Sequence, residues 1–152
     1  MKEFDLTKDL IERNYWLIRL RWVAVAGVNV TILLSSQILK FALPIFFLYA
    51  IGAFLAIYNL IFLFLLTLIK GKESFSTINR IANAQIFLDL LSLAGLIHFS
   101  GGVENPFIFY FIFHMIIAGV LLSRRASFLQ ATFAVFLFCA MAVSEYFGIF
   151  AH

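Results

Sequence analysis

The chain has 152 residues, of which 64% are hydrophobic and only 12% are charged. Soluble domains carry about 25% charged residues and about 45–50% apolar ones, so this composition excludes an ordinary soluble domain and indicates an integral membrane protein in contact with lipid. The formal net charge of +3 comes from basic residues scattered among short loops, which report membrane topology and give no sign of a nucleic-acid-binding surface.

The first segment, residues 1–18, mixes charges of both signs with apolar residues at helical spacing. This pattern is typical of an amphipathic helix that lies at a membrane surface, and we predict that it runs into the first span. We therefore predict a cytoplasmic interfacial segment over 1–18 and a transmembrane domain over 19–152.

Five apolar stretches follow, and a helix needs about 20 mostly apolar residues to cross a bilayer. They cover roughly 20–39, 44–69, 81–99, 106–122 and 127–149. The predicted fold is therefore all-α, a polytopic bundle of five spans, with a polar loop over 70–80. The fourth stretch is short, so either the bilayer thins there or the loop before it dips below the outer surface.

The basic residues predict the orientation, because cytoplasmic loops carry an excess of Lys and Arg. With the amino terminus inside, all but one of the 11 basic residues fall on the cytoplasmic side. These are Lys2, Lys8, Arg13, Arg19, Arg21, Lys70, Lys72, Arg80, Arg124 and Arg125. Only Lys40 falls outside, so we predict a cytoplasmic amino terminus and place the loop after the third span on the outer face.

Polar groups inside the spans point to two interpretations. Asp89 is the one acid well inside a span, and Gln85 and Ser92 share its helix face. Asn29 and Asn59 lie at a similar depth in the first two spans. The cluster is either the polar centre of a small channel or transporter, or interhelical hydrogen bonding worth about 0.6–2 kcal/mol per contact.

Two histidines raise a further alternative. His98 ends the third span and His114 lies near the middle of the fourth. Such a pair could ligate haem in a cytochrome-like subunit. We place the two residues at different depths, however, and predict no metal site.

Residues 100–107 combine special backbone geometry with polar groups, in the order Ser-Gly-Gly-Val-Glu-Asn-Pro-Phe. The glycines permit a positive φ, Asn105 can cap a helix, and Pro106 suits the first helical position. The loop is therefore either a capped turn or a site for an apolar ligand with carbonyl oxygens. In the second case Asn105, His98 and free N–H groups at the helix amino end would donate hydrogen bonds, and Phe107 would contact the ligand ring.

This loop resembles the heptapeptide Gly-Gly-x-x-Asn-Pro-Phe of the RegB/PrrB-type redox-sensing histidine kinases. The matching positions are Gly101, Gly102, Asn105, Pro106 and Phe107. The stretch 19–27, Arg-Leu-Arg-Trp-Val-Ala-Val-Ala-Gly, is similar to the start of that family's first span. The resemblance implies a membrane sensor domain of a two-component system in the bacterial cytoplasmic membrane, with ubiquinone or menaquinone bound near these residues. We add His98 to the predicted site because it ends the third span beside this loop.

The resemblance further implies a homodimer, a sixth span, and a response regulator reached through a kinase domain. The family's phosphoacceptor helix and ATP-binding domain have no counterpart in this sequence. We therefore expect a sensor module with no catalytic residues of its own, whose parent protein is a histidine kinase.

Overall fold

The structure, a computed structural model, describes residues 2–38, 40, 43–69 and 74–148, with side chains described from residue 7 onward. Every regular element in these ranges is helical, which confirms the all-α prediction. The five α-helices are α1 (Lys2–Leu33), α2 (Ile45–Leu68), α3 (Phe75–Phe99), α4 (Tyr110–Leu121) and α5 (Arg124–Tyr146). A π-helical turn, Leu34–Ile38, extends α1, and two 3₁₀ turns, Gly102–Glu104 and Pro106–Phe109, connect α3 to α4.

Four helical segments within the described ranges are long and apolar enough to cross a membrane. They are Thr7–Ile38, Ile45–Leu68, Phe75–Phe99 and Arg124–Tyr146. The remaining apolar segment, Pro106–Leu121, is shorter, which confirms the prediction of a short fourth stretch. Large apolar side chains such as Phe46 and Phe128 point outward and are 78% and 75% exposed, as expected for a bundle in hydrocarbon.

The α3 helix extends beyond the apolar stretch that predicted it. The polar loop predicted over 70–80 ends earlier, because α3 begins at Phe75. The α1 helix runs without a break across residues 18 and 19, so no change in the backbone separates the interfacial segment from the first span. Hydropathy marks the part of a helix that lies in lipid, whereas the backbone hydrogen bonds continue into the flanking polar residues. The location of residues 1–18 at a membrane surface stays a prediction.

The α3 helix is the centre of the bundle and contacts each of the other four α-helices. On one side Ile86 and Leu90 belong to a buried apolar cluster shared with α4 and α5. On the other side Ile78 packs in a second cluster with residues of α1 and α2. The helices therefore form two groups around α3, and the polar residues of interest lie either between α1, α2 and α3 or in the loop that follows α3.

Candidate functional site

A buried polar network joins α1, α2 and α3, and its centre is Arg21. The Arg21 side chain is held against Asp89 by two parallel hydrogen bonds, Nε to Oδ1 at 2.7 Å and Nη2 to Oδ2 at 2.8 Å. Both residues are buried, with 4% and 7% of their surface exposed. Bidentate arginine–carboxylate pairs of this kind are the strongest hydrogen-bonded ion pairs in proteins.

Four further polar residues complete the arrangement, namely Asn14, Tyr58, Asn59 and Gln85. Together with Arg21 and Asp89 they form what we call the Arg21 network. Arg21 also donates from Nη1 to Asn59 Oδ1 at 2.7 Å and from Nη2 to Gln85 Oε1 at 3.2 Å. The Tyr58 hydroxyl donates to Asp89 Oδ1, and the Tyr58 ring lies 5.0 Å from the guanidinium carbon. This distance allows a cation–π contact.

The amides at the edge of the network are anchored as well. Asn59 Nδ2 donates to the Ile18 carbonyl at 3.1 Å, and Gln85 Nε2 donates to Asn14 Oδ1 at 3.1 Å. Asn14 in turn donates to the Leu10 carbonyl at 2.8 Å. Buried polar groups are tolerated when each of them has a hydrogen-bond partner. Since the Arg21 and Asp89 groups are engaged with each other and with neighbouring helices, the geometry favours interhelical bonding over a channel or transporter.

The sequence predicted part of this network. Gln85, Asp89 and Ser92 are all buried on one face of α3, which confirms the predicted stripe. Asn59 joins Asp89 through Arg21, but Asn29 donates within its own helix to the Val25 carbonyl at 2.8 Å.

The sequence counted Arg21 among the charges on the cytoplasmic side, whereas the structure buries its side chain among three helices and pairs it with Asp89. The sequence offered only the spacing, which places Arg21 on one helix face with Asn14, Leu17 and Ile18; the structure shows that this face is buried. Without Arg21 the bias of basic residues still favours a cytoplasmic amino terminus, which stays a prediction.

The loop after α3 has the backbone geometry that its glycines predicted. Gly101 has a φ of 123° and Gly102 a φ of 61°. Asn105 acts as the predicted cap, since Oδ1 accepts from the Phe107 N–H at 2.8 Å. Its Nδ2 donates to the Ser100 carbonyl at 2.9 Å. The Asn105 amide is therefore engaged within the loop, where it holds the backbone in shape.

The amino end of the fourth apolar segment offers fewer donors than the sequence suggested. Pro106 has no N–H, the Phe107 N–H bonds to the Asn105 side chain, and the Ile108 N–H bonds to the Asn105 carbonyl at 3.1 Å. The first N–H groups of this segment are thus already bonded to Asn105. A ligand at this loop would meet aromatic rings in place of free backbone donors.

Aromatic side chains surround the loop. Phe107 is 46% exposed, and its ring centre lies 5.8 Å from that of Tyr110, which is 51% exposed. His98, in the last turn of α3, is partly buried with its ring 5.0 Å from that of Phe99. His114 lies one turn after Tyr110, with Nδ1 2.9 Å from the Tyr110 carbonyl. Among the described residues, no group of three or more His, Cys, Asp or Glu is placed to hold a metal ion.

Glu145 of α5 is a loop contact that sequence reasoning missed. Its Oε2 accepts from the Val103 N–H at 3.0 Å, in the 3₁₀ turn that follows the glycines. A Cβ built on Gly102 would overlap this carboxylate, since even the farther oxygen would lie only 2.6 Å away. An acid near the end of an apolar span was the available signal, because such residues are rare in spans and tend to be paired.

Removal of the Asn105 cap should loosen the loop. We expect Asn105→Ala to destabilise the chain by about 0.5–2 kcal/mol, the usual range for loss of a helix cap. Asn105→Ser, which keeps a side-chain oxygen, should lose less. The free energy of unfolding in detergent micelles measures both effects. Equal losses in the two variants would contradict a capping role.

The comparisons with known proteins add a family. A family model described as the PilS-like transmembrane domain matches residues 5–152. No curated protein and no solved structure matches the chain.

Proposed function

The chain belongs to the PilS-like transmembrane domains, which are membrane domains of the sensor-kinase type, and on that premise we propose that it senses the redox state of the quinone pool. The proposed site is the outer loop with its neighbours, namely Gly101, Gly102, Asn105, Pro106, Phe107 and His98. In this proposal the glycines, Asn105 and Pro106 shape the loop, and Phe107 and His98 meet the ligand. The match to the heptapeptide of the RegB/PrrB-type kinases supports this assignment.

The observation that carries the proposal is an exposed aromatic pair beside a hydrogen-bonded loop. The Asn105 cap and two positive-φ glycines fix the backbone directly before Phe107. Phe107 and Tyr110 expose about half of their surfaces beside this fixed backbone. A planar quinone ring can stack on such side chains, and offset or tilted aromatic contacts contribute about 0.5–1.5 kcal/mol beyond the area they bury.

Discrimination between the two redox states needs a hydrogen-bonding group. A quinone carbonyl only accepts hydrogen bonds, whereas a quinol hydroxyl also donates them. The Tyr110 hydroxyl and a neutral His98 imidazole can each donate and accept. A site that binds the two forms unequally shifts the conformational equilibrium by that difference in affinity and by no more.

The proposal also covers the location, the orientation and the partners of the domain. The domain lies in the bacterial cytoplasmic membrane with its amino terminus in the cytoplasm and the loop on the outer side. It works as a homodimer and controls a histidine kinase domain that phosphorylates a response regulator. The Arg21 network takes no part in ligand binding here, because its polar groups bond to one another across α1, α2 and α3.

Calorimetric titration of the chain in lipid nanodiscs with a short-chain ubiquinone, a short-chain menaquinone and their quinols tests the proposal. We expect Phe107→Ala to weaken binding about tenfold, which corresponds to about 1.4 kcal/mol. Phe128→Ala is the matched control, because Phe128 is also exposed but lies in the first two turns of α5, far along the chain from the loop. Absence of binding to the unmodified chain, or equal losses in both variants, would overturn the assignment.

A further inference from the structure

Glu145 connects the loop to the last turn of α5. The residue precedes the final residue of that helix, Tyr146, and its carboxylate accepts from the Val103 N–H at 3.0 Å across 42 positions of sequence. The 3₁₀ turn Gly102–Glu104 packs against both α3 and α5. The loop is therefore attached to two helices, through the chain at the end of α3 and through a side chain at the end of α5.

The second glycine of the loop is shaped to receive this carboxylate. An ideal Cβ on Gly102 would overlap the Glu145 carboxylate, whereas a Cβ on Gly101 would meet nothing within 4 Å. The space that a side chain at position 102 would fill is thus occupied by a side chain of α5. The two glycines have different roles, since Gly101 serves only the turn and Gly102 also makes room for Glu145.

A continuous set of hydrogen bonds leads from this carboxylate to the proposed ligand-binding ring. Glu145 holds Val103, and the adjacent Gly102 carbonyl accepts from the Asn105 N–H at 3.1 Å. The Asn105 side chain then holds the Phe107 N–H at 2.8 Å. A displacement of the loop at Phe107 is thereby linked to the end of α5.

The α5 helix lies outside the charged network that joins the first three helices. It packs on α3 and α4 through buried apolar residues such as Ala134 and Met141. It also makes single hydrogen bonds to these helices, from Gln130 to the Asn83 carbonyl and from Ser127 to the Ala118 carbonyl. Helices at subunit interfaces shift by about 1–2 Å in allosteric transitions, and we take that range as the scale for α5.

We propose that Glu145 is a positioning residue that transmits movement of the loop to α5. The carboxylate makes α5 follow the 3₁₀ turn, while α1, α2 and α3 stay together through the Arg21 network. The quinone-driven form of this movement rests on the proposed function. The mechanical link between loop and helix does not, because it depends only on the contact between Glu145 and Val103.

Spin labels on α5 and α2 test the link in the full chain in nanodiscs. Cys139 is the one cysteine of the sequence and is exposed on α5, so it takes the first label directly. An Ala53→Cys substitution at an exposed position of α2 takes the second. Gly101→Ala perturbs the loop without touching Glu145, since nothing lies within 4 Å of its added Cβ. We expect Gly101→Ala to shift the mean distance between the labels by about 1–2 Å.

The Glu145 variants decide whether that shift passes through the carboxylate. Glu145→Ala should abolish the shift, whereas Glu145→Gln, which keeps an oxygen acceptor for the Val103 N–H, should retain it. A shift of equal size with and without Glu145, or no shift in any background, would overturn the proposal. A role confined to stability predicts loss of unfolding temperature with no difference in this response.

Addition of a short-chain quinone to the doubly labelled chain separates the two proposals. If quinone shifts the distance in the unmodified chain and not in Glu145→Ala, both proposals gain support. If quinone neither binds nor shifts the distance while Gly101→Ala still does, the proposed function fails and the mechanical link stands. If quinone binds and Gly101→Ala produces no shift, the link fails and the proposed function stands.

Discussion

Replacement of Asp89 by leucine is expected to destabilise the folded bundle by about 3–5 kcal/mol, the usual result of removing one partner from a buried ion pair. The variant leaves the Arg21 guanidinium among three helices with only the Asn59 and Gln85 amides as hydrogen-bond partners. The Tyr58 hydroxyl also loses its acceptor. The loss arises from an uncompensated buried charge more than from the missing attraction.

The double variant Arg21→Leu/Asp89→Leu is the informative comparison. Replacement of both charges by apolar residues of similar volume is often neutral or stabilising in proteins, so the double variant should recover most of the stability lost in Asp89→Leu. Unfolding titrations in mixed micelles, followed by circular dichroism, measure the free energies of unfolding. The single variant Arg21→Leu is measured as well. If the losses of stability in Arg21→Leu and Asp89→Leu simply add in the double variant, Arg21 and Asp89 do not act as a pair.

Introduction of a side chain at Gly102 is the second change with a large expected effect. A non-glycine residue at a φ of 61° carries about 1–3 kcal/mol of backbone strain, and overpacking against a fixed neighbour adds about 1–3 kcal/mol. Gly102→Ala should therefore destabilise the chain by about 2–6 kcal/mol.

Two controls separate the backbone term from the steric one. Gly101→Ala also places alanine at a positive φ, and its Cβ meets nothing within 4 Å, so it should lose stability through backbone strain without a steric clash. In Gly102→Ala/Glu145→Ala the overlap with the carboxylate is removed, and stability should recover by the steric part of the loss. The same unfolding titration measures all three variants. No recovery in the double variant would contradict the packing of Glu145 against Gly102.

The helices could be predicted from sequence because they follow from local rules. A bilayer requires helices of about 20 apolar residues with their backbone hydrogen bonds formed internally, so hydropathy and length identify them. The loop backbone was predictable for a similar reason. Positive φ at Gly101 and Gly102 and the cap at Asn105 depend on residues within a few positions of one another.

The helix boundaries show where the same local rules become insufficient. The α3 helix begins at Phe75, inside the polar segment predicted to be a loop. Polar residues can continue a helix, and nothing in a hydropathy pattern marks where the backbone hydrogen bonds stop. The α1 helix, in contrast, continues into the first span as its helical spacing predicted.

The sequence alone determined an all-helical membrane bundle, a buried polar face on α3 around Asp89, and a capped, glycine-turned loop, because each depends on the spacing of neighbouring residues. Only the tertiary structure decided that Arg21 is the partner of Asp89, 68 positions away, and that Glu145 reaches Val103 across 42. An isolated arginine or glutamate in a sequence carries no information about its partner. Which opposite charge or open backbone N–H it meets is decided by how whole helices pack.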